Sequence, residues 1–156
     1  MKKNVFRFLM VFALIAITNI AYSQENKYEI QITVPERDGM QIGKSLDVEG
    51  KALIPEGEFL WVLVHRVKGF NYVWYPQGEG EINSENKEWE VTVNFGELQD
   101  IGYEFEIAVI VVNDMEHRKL FKYMEDAMTS GDWKPIKMPP TQTAPIYRKK
   151  LKKVSH

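Results

Sequence analysis

LWVLVHRVKGFNYVWYPQGEGEI, residues 60–82, places two tryptophans, two tyrosines and a histidine in one hairpin pattern. Phe59 to Val64 is apolar at every position, as a central strand covered on both faces requires. Trp61, between Leu60 and Val62, therefore reads as a core side chain. After the break at Gly69, Tyr72 and Trp74 alternate with Val73 and Tyr75, ahead of Pro76-Gln77-Gly78. Strand alternation puts Tyr72 and Trp74 on one face and Val73 and Tyr75 on the other. One of those pairs is expected to be at least partly exposed, where aromatic rings stack on an apolar sugar face or anchor a protein partner. Tyr72, Trp74, Tyr75 and Gln77 are accordingly candidate ligand-binding residues; the competing reading is an edge strand that caps the core.

The flanking sequence repeats the strand pattern. Tyr28, Ile30, Ile32 and Val34 alternate with polar residues, as do Leu46, Val48, Gly50 and Ala52. Trp89, Val91, Val93 and Phe95 give a third strand with one wet face, which makes Trp89 a core residue. Tyr103 to Val112 ends apolar on both faces and is the second central strand. One helix interrupts, at about 114–130: Asn113 with Glu116 three positions on forms an N-cap and capping-box pair, and Leu120, Phe121, Met124, Ala127 and Met128 follow at helical spacing. A proline-rich connection, 133–145, leads to a last strand over Ile146–Val154.

About seven short strands with turn signals between them predict an all-β fold, an antiparallel immunoglobulin-like β-sandwich with one crossover helix before the last strand. The order V-x-G (48–50), P-x-G (55–57), LWVLV (60–64), YPQG (75–78), Trp89, NFG (94–96) and G-x-x-F-E-I (102–107), then a helix and a proline segment, resembles small bacterial β-sandwich modules. Such modules occur in secreted or membrane-attached proteins. The resemblance covers roughly residues 40–152 and implies a fold, not an activity.

The first 23 residues read as a cleaved signal peptide. Lys2, Lys3 and Arg7 precede an apolar run of about 15 residues, and Ala21-Tyr22-Ser23 supplies the small-x-small site. The run is short of the ~20 residues that span a bilayer. The expected mature chain, 24–156, is one β-sandwich domain that lies in a periplasm or outside the cell, with no transmembrane span. No cysteine is present, so its core forms without disulfides. Removing the three signal cations from 20 basic residues leaves 17 against 22 acidic ones, a net of −5. Arg148, Lys149, Lys150, Lys152 and Lys153 concentrate at the C-terminus, so the preceding body carries 12 against 22, a net of −10. Nucleic acid is not expected as a partner of such a body.

No catalytic or cofactor signature emerges. His65 reads as a core or rim histidine, and neither it nor His117 has a nucleophile at motif spacing. The histidines fit no zinc pattern. Glu79, Glu81, Asn83, Ser84 and Glu85 lack calcium-loop spacing, and no metal is expected. The expectation is a secreted, non-enzymatic module that recognises a protein or glycan of the cell envelope; the alternative is an envelope hydrolase whose carboxylates converge only in three dimensions. The basic C-terminal residues, 148–150 with 152 and 153, read as the lysine-rich protection of an edge strand or as an electrostatic patch.

Overall fold

The structure, a computed structural model, describes residues 28–69 and 72–156; the expected signal peptide, 1–23, lies outside them. The strands are β1 (Glu29–Val34), β2 (Gln41–Ile42), β3 (Ser45–Leu53), β4 (Glu58–Arg66), β5 (Val73–Glu79), β6 (Glu88–Asn94), β7 (Glu104–Asn113), β8 (Ile136–Lys137) and β9 (Ile146–Lys153). A single-turn 3₁₀ helix, Leu98–Asp100, precedes β7, and one helix, α1 (Asp114–Ser130), follows it. The fold is mostly β, in two sheets of order β1-β3-β6 and β2-β9-β7-β4-β5-β8.

The continuous apolar runs become the middle of the larger sheet because both of its faces are covered. β4 and β7 pair antiparallel over nine positions, from Glu58↔Asn113 to Arg66↔Phe105. Leu60, Val62, Val64, Ile107 and Val109 meet Ile32, Val48, Trp89, Val91 and Val93 of the smaller sheet in one core. Trp61, Leu63, Ala108, Ile110 and Val112 meet Leu120 of α1 and Trp74 in a second. Trp61 is thus buried as expected, on the face that α1 covers rather than between the sheets. An apolar run with no wet side carries no signal of which face a given side chain takes.

The smaller sheet shows the alternation read from its sequence. Val48, Gly50 and Ala52 of β3 are buried while Asp47, Glu49 and Lys51 are exposed, and β6 repeats this with Trp89, Val91 and Val93 against Glu90 and Thr92. Both open rims of this sheet end on side chains of the larger one. On β6, the Asn94 amide donates to Gln77 Oε1 at 2.8 Å. On β1, the Arg148 guanidinium donates to the carbonyls of Ile32 (2.6 Å) and Pro35 (2.8 Å).

α1 begins and ends as its capping residues dictate. Asn113 Oδ1 accepts from the Glu116 amide at 3.0 Å, and Gly131, at φ 73°, donates its amide to Ala127 at 2.8 Å. The Glu116 carboxylate accepts from Lys119 at 2.6 Å. The proline-rich connection is more than a crossover: β8 lies within it and pairs with Val73 and Trp74, while Ile136 and Met138 pack on the second core. No helix among the described residues is long and apolar enough to cross a membrane.

Candidate binding surfaces

The four hairpin candidates separate into different environments. Tyr72 is 86% exposed, with φ 52°, whereas Trp74 is only 5% exposed. The expected sharing of one face fails because Tyr72 is in the left-handed region, before β5 begins, so strand alternation does not reach it. Trp74 packs beside His65 and Tyr147, with ring centroids 5.1 and 6.1 Å away. Tyr75 points the other way, onto the core between the sheets. Burial pushes its phenol up; Arg66 opposes the shift and Asp100 adds to it. Gln77 sits at a bulge where β4 and β5 slip register, Val62↔Gly78 being followed by Leu63↔Pro76. Its amide donates to the Tyr75 and Pro76 carbonyls while its oxygen holds Asn94. Only Tyr72 of the four offers a largely exposed ring or amide to a partner.

The basic C-terminus is divided in the same way. Lys150 takes φ 56°, and the β7–β9 register slips from Phe105↔Leu151 to Ile107↔Arg148. This bulge brings Ile146, Arg148, Leu151 and Lys153 to the face toward the smaller sheet, a set that an unbroken period of two would split between the faces. Lys153 is fully buried and donates to the carbonyls of Gly96 (3.0 Å) and Glu97 (2.6 Å). Lys149, Lys150 and Lys152 remain exposed. β9 is also less of an edge than expected, since β2 pairs with its last two residues, Lys152 and Lys153, in parallel.

Lys153 is one member of a buried charged brace at the end of the body where β4, β6 and β9 finish and β7 starts. Arg66 pairs with Asp100 at 2.5 Å, and its guanidinium lies 4.5 Å from the Tyr103 ring centroid. The second Asp100 oxygen accepts from the Glu97 amide at 2.8 Å. Gly96, at φ 64°, leaves no room for a side chain, because a Cβ there would run into the Asp100 carboxylate. Around this brace the loops display Val67, Tyr72, Leu98, Ile101 and Val154, all at least 42% exposed. Val67, Leu98, Ile101 and Val154 carry no periodic signal in the sequence, and each is unremarkable alone; the fold is what gathers them.

A histidine–carboxylate contact lies at the opposite end of β5. Trp61 Nε1–H donates to His117 Nδ1 at 3.1 Å, and Phe59 stacks on the imidazole at 3.8 Å between centroids with 14° between planes. Glu79, directly across from Trp61 on β5, brings Oε2 to 3.8 Å from the same nitrogen. Burial raises the Glu79 carboxyl above its ordinary range; His117 offsets part of the rise and Glu81 adds to it. Glu58, three positions before Trp61 on β4, occupies the other face and accepts from the Tyr28 hydroxyl at 3.1 Å. The two carboxylates therefore do not converge.

Three open grooves of about 450, 430 and 400 Å³ mark the surface. The first runs along α1 past Tyr123 and Asp132, the second crosses Glu49, Lys51, Glu88 and Glu90, and the third passes Pro55, Phe59, Glu79 and Ile82. Asn83 Oδ1 accepts from the amides of Glu85 (2.8 Å) and Asn86 (3.4 Å), so the acidic 79–85 segment caps its own turn. Among the described residues no group of three or more His, Asp or Glu is placed to hold a metal ion. No protein-family model matches the chain, and no curated protein matches it either.

Proposed function

We propose that the chain is an exported, non-enzymatic β-sandwich of immunoglobulin-like type that recognises a protein or glycan of the cell envelope through its braced loop end. The sandwich reading is supported by strand order. β1-β3-β6 and β9-β7-β4-β5 correspond to A-B-E and G-F-C-C′ of that architecture. The export reading rests on the basic, apolar and small-residue succession of residues 1–23.

The observation that carries recognition is the set of exposed apolar side chains Val67, Leu98, Ile101 and Val154, each within two positions in the chain of Arg66, Asp100 or Lys153 of the brace, together with Tyr72 just before β5. Apolar residues on loops fixed by a rigid scaffold lose little entropy on binding, which is the economy of a recognition surface. A hydrolase would instead need converging carboxylates. Here the raised carboxyl, Glu79, faces His117, and Glu58 lies on the opposite face of the sheet.

The test immobilises the 24–156 chain and probes it with solubilised envelope fractions and a glycan array, beside two double variants. Tyr72→Ser with Leu98→Ser is expected to abolish the bound species. Phe121→Ser with Met128→Ser, exposed on α1, is expected to retain it. The reverse outcome moves the site to the helix.

A further inference from the structure

His117 Nδ1 faces two groups that it cannot satisfy together. The Trp61 indole at 3.1 Å offers a hydrogen and requires a lone pair on that nitrogen. Glu79 Oε2 at 3.8 Å is an acceptor and requires a proton there. We propose that the Glu79–His117 pair is a one-proton switch, fastening the first turn of α1 to β4 when empty and to β5 when it holds the proton.

Either partner can carry the proton. On the imidazole, Nδ1–H donates to the carboxylate; on the carboxyl, O–H donates to Nδ1. In both forms one proton taken from solvent occupies the line between Oε2 and Nδ1, and the indole hydrogen of Trp61 is displaced from it. Phe59, stacked nearly parallel to the imidazole, guides the ring to slide in its own plane. A slide of about 1 Å closes 3.8 Å to ordinary hydrogen-bond length.

The surrounding charges set the balance. Glu79 and Glu81 on the β5 side favour taking up a proton. The N-terminus of α1, with its positive dipole end, opposes it. Asp114 is paired with Arg118 at 2.9 Å and Glu116 with Lys119 at 2.6 Å, so the acidic residues of the first turn are already engaged. Glu58 lies on the far face of β4.

The test follows the Trp61 indole ¹H–¹⁵N resonance from pH 8 to 4.5, assigned by its loss in Trp61→Phe, with circular dichroism confirming the fold at each pH. Wild type is expected to lose the hydrogen-bonded shift along a single-proton curve. Glu79→Gln is expected to move that curve to lower pH, and His117→Gln to abolish it. Because Glu79 is partly exposed, its variant keeps the question open to refutation even where His117→Gln fails to fold. An indole resonance that does not titrate in the folded wild type, or a midpoint unchanged in Glu79→Gln, overturns the switch.

Discussion

Lys153 and Asp100 grip the same turn from two sides: the ammonium takes the carbonyls of Gly96 and Glu97, and the carboxylate takes the amide of Glu97. A buried cation of this kind is held by the chain it organises. Its removal strands two carbonyls in a closed space, at a cost of about 1–3 kcal/mol. Lys153→Gln is therefore expected to lower stability by about 2 kcal/mol in urea melts, whereas Lys149→Gln and Lys152→Gln each stay within about 0.5 kcal/mol. Equal effects at all three positions would show that the brace is unimportant.

Trp61 and Trp74 are both buried, so truncation of either should open a cavity. Trp61→Ala and Trp74→Ala are each expected to cost about 3–5 kcal/mol, while Tyr72→Ala, at the exposed tip, changes stability by less than about 0.5 kcal/mol. Denaturant midpoints distinguish these. A small loss at Trp74 would return that ring to the surface.

Gly50 pairs with Ile32 on one side and Trp89 on the other. A Cβ at this position would collide with the Gln31 carbonyl and the Trp89 ring. Backbone cannot swing aside as a flexible side chain can, so Gly50→Ala is expected to cost about 1–3 kcal/mol and to speed amide exchange in β1. Unchanged exchange there would show that the sheet yields without strain.

Burial pushes the Tyr123 phenol up to about 12, with Tyr75 and Asp132 adding to the rise. Its hydroxyl donates to the Lys134 carbonyl at 2.8 Å. The native state thus favours the neutral phenol, and the unfolded chain releases this proton first, near pH 10. The stabilisation is complete below that pH and is lost as pH rises toward about 12. Tyr123→Phe is expected to remove this part of the alkaline loss, read as a smaller fall in thermal midpoint between pH 9 and 11. Parallel curves for the two proteins would contradict it.

Much of the fold was legible because its strands are regular where one face is wet. Leu46 to Ala52 and Trp89 to Phe95 announce their buried side by alternation, the runs in β4 and β7 announce double coverage, and Asn113 announces the start of α1. The departures are local breaks in period. Tyr72 and Lys150 adopt positive φ, and the slips at Gln77 and Lys150 shift every later side chain relative to a straight count. The surfaces were less legible for a different reason. Arg66 and Asp100 are separated by 34 positions and Trp61 and His117 by 56, so no spacing in the chain links them. Only the folded sheet makes them neighbours.

Gln77 and Arg148 give the smaller sheet a property that belongs to solutions rather than to single molecules. A bare rim of amides and carbonyls invites a strand from another molecule to continue the ladder. Here one rim's Asn94 amide is already occupied by an amide side chain, and the other's Ile32 and Pro35 carbonyls by a guanidinium. Dispersal of the protein in solution is thus expected to depend on two side chains remote from each other in sequence. Loss of either would leave a folded molecule with a sticky rim, and the defect would appear as fibres or turbidity long before it appeared as melting.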